Sequence, residues 1–286
     1  MQDQPKAELL PYTNENVYEL LWRFREDIFT KIIESSPQNI FEVFAQFDNF
    51  QQEYELAVPT VLYEKKQYLR GDIKVKRNPE YVPSELKFQI DTRLAVLKML
   101  CDDTIDCVVE LGCGYGRRIL ELMVILQQPQ IAYIAAEYTK SGRRITEKLA
   151  QSFFSQTDIT VPFVDHNQAL FPFMPQDRNV LVYTCHSLEQ IHELPQDYFV
   201  KLAQSTPHIK GVHIEPCGFQ FISPAERSLE QIKHHAFMSH QNYNLNMVDA
   251  LEYAQKQGVI KIEHTEIDFS HEQPENPSSW VYWTKC

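Results

Sequence analysis

Two groups of residues in this 286-residue chain have the types and spacing of a working site. The first is Glu110 followed by glycines at 112, 114 and 116, in the run VVELGCGYGRRI at 108–119. Glycine accepts positive φ and carries no Cβ, so such a loop lets a ligand lie against its backbone. The second group is Thr184, His186, Glu189 and His192 after a later apolar run, with His213 and Glu215 closing the next one. A histidine titrates near neutrality, so His186 has the chemistry of a general base, with Glu189 to orient it and Glu215 as a further catalytic acid. The spacing 186, 189, 192 also invites a metal, but positions i and i+6 lie about 240° apart on a helix and do not face one ion. No metal is expected.

The glycine spacing narrows the cofactor. A dinucleotide fingerprint places its third glycine at the sixth position for helix packing, and here that position is Arg117. Glu110 would repel a pyrophosphate and attract a sulfonium or an α-ammonium group. The cofactor these residues select is S-adenosylmethionine. On the same residues, VVELGCGYG resembles the first motif of the class I, Rossmann-like S-adenosylmethionine-dependent methyltransferases, over roughly 88–286.

The resemblance implies that Glu110, Gly112, Gly114 and Gly116 hold the methionine half of the cofactor. Glu137, 21 residues beyond Gly116, would accept the two ribose hydroxyls, as a carboxylate does well. Asp165 would meet the adenine amine, with His166 beside it, and Thr184 would border the cofactor. The implied fold is α/β: a seven-stranded, mostly parallel sheet with a C-terminal antiparallel hairpin. Two other readings stand beside it. One is a non-catalytic cofactor-binding or scaffold protein with this fold; the other is a nicotinamide-dependent dehydrogenase, which Arg117 and the terminal hairpin disfavour.

The elements that must position these residues follow from hydrophobic periodicity. Val17, Leu20, Leu21, Phe24, Ile28 and Ile32 predict a helix over 12–35, and Ile40, Phe41, Phe44 and Phe47 a second after Pro37. A Tyr- and Pro-marked segment follows at 56–83. Residues 1–87 thus read as a helical N-terminal extension, either a lid over the acceptor or padding, and 88–286 as the methyltransferase domain. Tyr63, Tyr68 and Arg70 in the extension, with His213 and Tyr243, are the candidate substrate contacts. From 86 the pattern alternates: helix 86–100, strand 106–110, helix 117–126, strand 131–136, helix 141–154, strands 159–164 and 180–184. A helix over 187–203 broken at Pro195, strand 212–214, helices 224–235 and 246–257, and a hairpin of 259–269 with 279–284 complete it. Such alternation predicts a parallel sheet with ligands at the carboxyl ends of its strands.

Lys plus Arg number 27 and Asp plus Glu 39, and 27 − 39 gives −12, which disfavours nucleic acid and anionic membranes as partners. The expected acceptor is small and polar: an amino acid, a sugar or a natural-product intermediate, methylated on O or N. The first residues lack a signal peptide's basic and apolar regions, and no apolar run is long enough to span a membrane. The six cysteines form no CxxC pair and read as small buried hydrophobes in a reducing cytoplasm. His234, His235 and His240 read as surface or lid residues. The oligomeric state is left open, a homodimer being one option.

Overall fold

The structure is a computed structural model and describes residues 9–63, 65–71, 73–77, 91–270 and 276–286. In chain order the elements are β1 (Leu9–Pro11), α1 (Asn14–Glu34), α2 (Ile40–Glu53), β2 (Tyr54–Ala57), β3 (Thr60–Tyr63), β4 (Lys66–Arg70) and β5 (Lys74–Arg77). Then come α3 (Thr92–Leu100), β6 (Cys107–Leu111), α4 (Arg117–Leu126), β7 (Ala132–Ala136), α5 (Lys140–Phe153) and β8 (Ile159–Thr160). The chain ends with β9 (Asn179–Cys185), α6 (Tyr198–Gln204), β10 (His208–Glu215), α7 (Leu229–His240), α8 (Met247–Lys256), β11 (Ile260–Ser270) and β12 (Ser278–Lys285). Among the described residues no helix is long and apolar enough to cross a membrane.

The chain divides into two compact units. One comprises Met1–Gln89, Gly114–Glu121 and Tyr138–Gln156; the other comprises Ile90–Cys113, Leu122–Glu137 and Thr157–Cys286.

In the first unit, Thr13 caps α1 by accepting the Asn16 amide at 3.2 Å, and Asn39 caps α2 by accepting that of Glu42 at 3.0 Å. The apolar stripes face inward: Leu20, Trp22, Phe29 and Ile32 from α1, and Ile40, Val43, Phe44 and Phe47 from α2. Phe29 stacks on Phe47 at 4.4 Å between centroids, and the ring of Tyr115 completes the cluster with Phe29, Phe44 and Phe47. Glu26 pairs with Arg144 and Glu19 accepts from the Ser141 hydroxyl, which fixes α1 along α5. Two small antiparallel sheets, β1-β4-β3 and β2-β5, belong to this unit.

The second unit holds a seven-stranded sheet in the order β11-β12-β10-β9-β6-β7-β8. All neighbours pair parallel except β12, which runs antiparallel between β10 and β11. This is the α/β, Rossmann-like sheet with a terminal antiparallel hairpin. Every residue of β6 and β7 is buried, as strands covered on both faces require. One face packs Val109, Ile134, Val182 and Trp283 with Phe199 and Leu202 of α6 and Leu251 and Ala254 of α8. A Cβ at Gly211 would strike the Trp283 indole, so glycine there makes room for the largest side chain of the core.

Three expectations are corrected. The strand predicted at 159–164 is two residues long, because Pro162 has no amide to donate; Glu137 instead donates its amide to the Pro162 carbonyl at 3.0 Å, and an isolated bridge joins Glu137 to Phe163. The helix predicted at 187–203 is a 3₁₀ turn, Leu188–Gln190, and then α6. The helix predicted at 224–235 starts later, at a capping box in which Ser228 and Gln231 exchange hydrogen bonds. Residues 78–90, which include the start of the helix predicted at 86–100, lie outside the described residues.

Candidate functional site

The glycine loop leaves β6 with Gly112, Gly114 and Gly116 all in the left-handed region, at φ of +80°, +59° and +78°. That conformation strains any residue with a Cβ. Close packing adds a second requirement at two of them. A Cβ on Gly112 would strike the Ser187 hydroxyl, and one on Gly116 would stand 2.6 Å from Cγ2 of Thr146. At Gly114 the nearest described atom is Trp22 Cζ2, at an ordinary 3.4 Å. The expectation that all three glycines open the backbone to a ligand is therefore narrowed: at 112 and 116 the space of the missing Cβ is taken by the protein itself.

The loop begins beside the next strand, because the amides of Gly112 and Cys113 both donate to the Ala136 carbonyl, at 2.8 and 3.0 Å. Two acids lie at these strand ends. Glu110 is buried and accepts a 3.0 Å bond from the Tyr183 hydroxyl, and Glu137, directly after Ala136, is buried at the end of β7. Tyr183 is a partner that the sequence reading did not name. Asp165 is half-buried and accepts from the Asn167 amide and side chain and from Gln168, closing its own turn. Three of its roughly four lone-pair sites are thereby used.

His186, at the end of β9, has φ of +53° although it is not glycine, and its amide donates to the Ile214 carbonyl at 3.0 Å. Its Nδ1 lies 3.3 Å from Glu189 Oε2, and its Nε2 lies 2.7 Å from the Ser278 hydroxyl. Glu189 is buried and also accepts from Asn276 Nδ2 at 3.1 Å and Gln190 Nε2 at 2.8 Å. Burial of His186 works to lower its pKa, but the hydrogen bond to Glu189 and the charges of Glu189 and Glu215 outweigh it, and the net shift is upward. The structure thus brings His186 and Glu189 together and adds Ser278 and Asn276, two residues without any local sequence signal of this role.

Glu215, expected as a further catalytic acid, is engaged by the backbone of the turn after β9. Its carboxylate is buried and accepts the amides of Ser187, Leu188 and Glu189 at 3.0, 3.2 and 3.2 Å, capping the 3₁₀ turn from the neighbouring strand. Burial raises its pKa to about 7, the Glu189 charge adding to the effect. Behind it stands a buried chain of side chains. Trp283 Nε1 donates to His213 Nε2 at 2.9 Å, so Nδ1 carries the ring proton and faces the Thr184 hydroxyl at 3.0 Å; that hydroxyl in turn bonds Glu215.

His213 and Thr184 are fully buried, and their side chains are engaged in this chain. His166 is likewise buried, its ring nitrogens bonded to Tyr198 at 2.7 Å and Ser187 at 2.9 Å. Burial lowers the pKa of His166 to about 4 and that of His213 to about 3, so both are neutral.

The remaining candidates are scattered. Tyr63 ends β3 and its side chain lies outside the described residues, while half-buried Tyr68 and exposed Arg70 lie on β4. Tyr243 is half-buried, edge-on to Phe237. His192 is exposed, and among the described residues no three His, Cys, Asp or Glu side chains are placed to hold a metal. His234, expected at the surface, is buried against Phe219 with Nε2 3.2 Å from Asn276 Oδ1; His235 is half-buried and His240 exposed.

No family model and no curated protein sequence matches the chain. Among solved structures it is similar to a geranyl diphosphate methyltransferase in complex with GPP and sinefungin, at 10% identity and a TM-score of 0.49, covering 68% of this chain and 76% of that one. It is also similar to the pyocyanin biosynthetic protein PhzM, at 14% identity and a TM-score of 0.47, over 68% of this chain and 54% of that one. A third is a SAM-dependent O-methyltransferase from Thermotoga maritima, at 11% identity and a TM-score of 0.41, over 79% and 77%. At such low identities and scores, function has to be read from the chain's own residues.

Proposed function

We propose that the chain is an S-adenosylmethionine-dependent methyltransferase acting on oxygen or nitrogen of a small polar acceptor: an amino acid, a sugar or a natural-product intermediate. The observation that carries the reading is the loop 111–116, left-handed at three glycines, with the buried acids Glu110 and Glu137 at the ends of β6 and β7. Acids at these places suit a cationic amino-acid tail and a pair of ribose hydroxyls, and they disfavour phosphate. In this reading 88–286 is the catalytic domain and 1–87 its extension. Asp165 offers its remaining lone pair to the adenine amine. The acidic surface and the lack of a membrane-crossing helix among the described residues favour a small-molecule partner in the cytoplasm.

When bound, S-adenosylmethionine supplies a strongly electrophilic methyl group. The chain's own task is alignment and proton removal. Glu189 holds the Nδ1 proton of His186, which leaves Nε2 as the basic nitrogen and stabilises the imidazolium once it forms. In the resting arrangement the Ser278 hydroxyl donates to Nε2; an acceptor hydroxyl would replace Ser278 as that donor and give up its proton there. Glu215 keeps the turn bearing Glu189 in place.

Calorimetry with S-adenosylmethionine and S-adenosylhomocysteine tests the reading. Both should bind, and Gly114→Val, through loop strain, and Glu137→Ala, through lost ribose recognition, should each weaken binding about tenfold or more. Equal affinity in wild type and both variants would end it. A methyl-release assay with candidate acceptors then separates an enzyme from a protein that only holds the cofactor.

A further inference from the structure

The carboxylate of Glu189 receives donors on both of its oxygens. Oε1 accepts from Gln190 Nε2 at 2.8 Å, while Oε2 accepts from Asn276 Nδ2 at 3.1 Å and faces His186 Nδ1 at 3.3 Å. Asn276 and His186 therefore share one oxygen. Asn276 is buried, and its amide fits only one way round. A carboxylate only accepts, so the NH2 group faces Glu189 and the amide oxygen faces His234 Nε2, 3.2 Å away. His234 must then carry its proton on Nε2. Its Nδ1 is buried with no hydrogen-bond partner among the described residues, so a second ring proton would be a buried donor without an acceptor. Burial lowers the pKa of His234, the charge of His235 acting with it and those of Asp268 and Glu189 against it. The ring is thus a neutral donor in one tautomer, edge-on to Phe219 at 4.9 Å between centroids.

The short stretch 276–278 reaches both ends of the pair, with Asn276 on Glu189 and Ser278 on His186 Nε2. A donor on Oε2 takes up part of the negative charge that attracts the imidazolium, so Asn276 weakens the hold of Glu189 on a protonated His186. The charge of Glu215 adds to that hold, and burial and the charge of Arg93 oppose it.

We infer that Asn276 and His234 are positioning residues of the His186–Glu189 pair: His234 locks the Asn276 amide, and Asn276 moderates the carboxylate so that His186 gives up its proton nearer neutrality. The inference rests on the reading of His186 as the base and adds two residues that act on it through Glu189.

The test is an NMR titration of the His186 ring in the full chain, which needs no acceptor; the signal absent from His186→Asn identifies it. Asn276→Leu should raise the titration midpoint by about half to one pH unit, the opposite direction to loss of the Glu189 charge. His234→Leu, which frees the Asn276 amide, should raise it by less. His234→Gln, whose amide nitrogen takes the place of Nε2, should restore the wild-type midpoint. Thermal melts check the fold, and the two His234 variants serve if Asn276→Leu does not fold. A midpoint that stays or falls in Asn276→Leu or His234→Leu, or one that shifts equally in His234→Leu and His234→Gln, would make both residues plain packing and overturn the inference. Cofactor calorimetry on wild type reports separately on the methyltransferase reading, so the two failures are distinguishable.

Discussion

His186 holds a conformation that costs a residue with a Cβ about 1–3 kcal/mol and that glycine would adopt freely. Its retention there aims the ring between Glu189 and Ser278. As the proposed base it must be deprotonated to act, and its pKa is raised from the ordinary histidine value of 6.5, so the acid limb of the pH-rate profile should lie above that pH. His186→Asn keeps polarity and approximate size but takes up no proton. It should lower kcat by roughly 10²- to 10⁴-fold, leave cofactor affinity nearly unchanged and abolish the limb. Glu189→Gln removes the charge that outweighs burial, so its limb should move downward. Profiles of kcat/KM for the three proteins decide the matter. A limb that survives in His186→Asn assigns the base elsewhere.

At the scale of elements, β-branched alternation and the glycine loop made the sheet legible, since each is written in consecutive residues. The turn after β9 was not legible: the amides that would have begun a helix at 187 are held by Glu215, 26 to 28 positions away. Position likewise revealed which polar residues end the strands but not the side on which their hydrogen bonds are made. Thr184, His213 and His166 look the same in sequence whether they face a ligand or the core. Asn276 and Ser278 carry no signal at all, being small polar residues beside a proline. The glycines allow a quantitative check. Gly116 combines positive φ with Thr146 at 2.6 Å, whereas Gly258, at φ of +68°, has nothing within 4 Å. Gly116→Ala should therefore cost about 2 kcal/mol or more, from strain plus overpacking, and Gly258→Ala about 1 kcal/mol from strain alone. Urea unfolding of the two variants would show whether packing supplies the difference; equal losses would remove it.

At the scale of the whole molecule, the buried groups His166, His213 and Glu215 each add to the pH dependence of stability. Between about pH 4.5 and 6.5 the unfolded chain protonates His166 and His213, which the fold keeps neutral, while the fold protonates Glu215, which the unfolded chain does not. Two against one leaves the unfolded state with about one more proton on these three groups, so their joint contribution to stability rises with pH by about 1.4 kcal/mol per unit. His234, also lowered by burial, reinforces that sign. Above pH 6.5 the sign reverses, because Glu215 up to about 7 and His186 with its raised pKa hold protons that the unfolded chain has released. Urea midpoints measured from pH 4.5 to 8 should peak near 6.5; a steady rise to pH 8 would contradict this account.

The two margins of the large sheet differ in a way that bears on how copies of the chain behave when crowded. A free strand edge is a template for the backbone of another molecule. At one margin β8 has only two residues, too few to recruit a stranger. At the other, β11 runs for eleven residues, but its register with β12 shifts between Ile262 and His264 and again between Glu266 and Ser270, and Lys261, Glu263, His264 and Glu266 are exposed along it. One border is too short and the other too crooked and too charged for sheets to be stitched end to end. Neither border of this sheet is thus a ready template for the backbone of another copy.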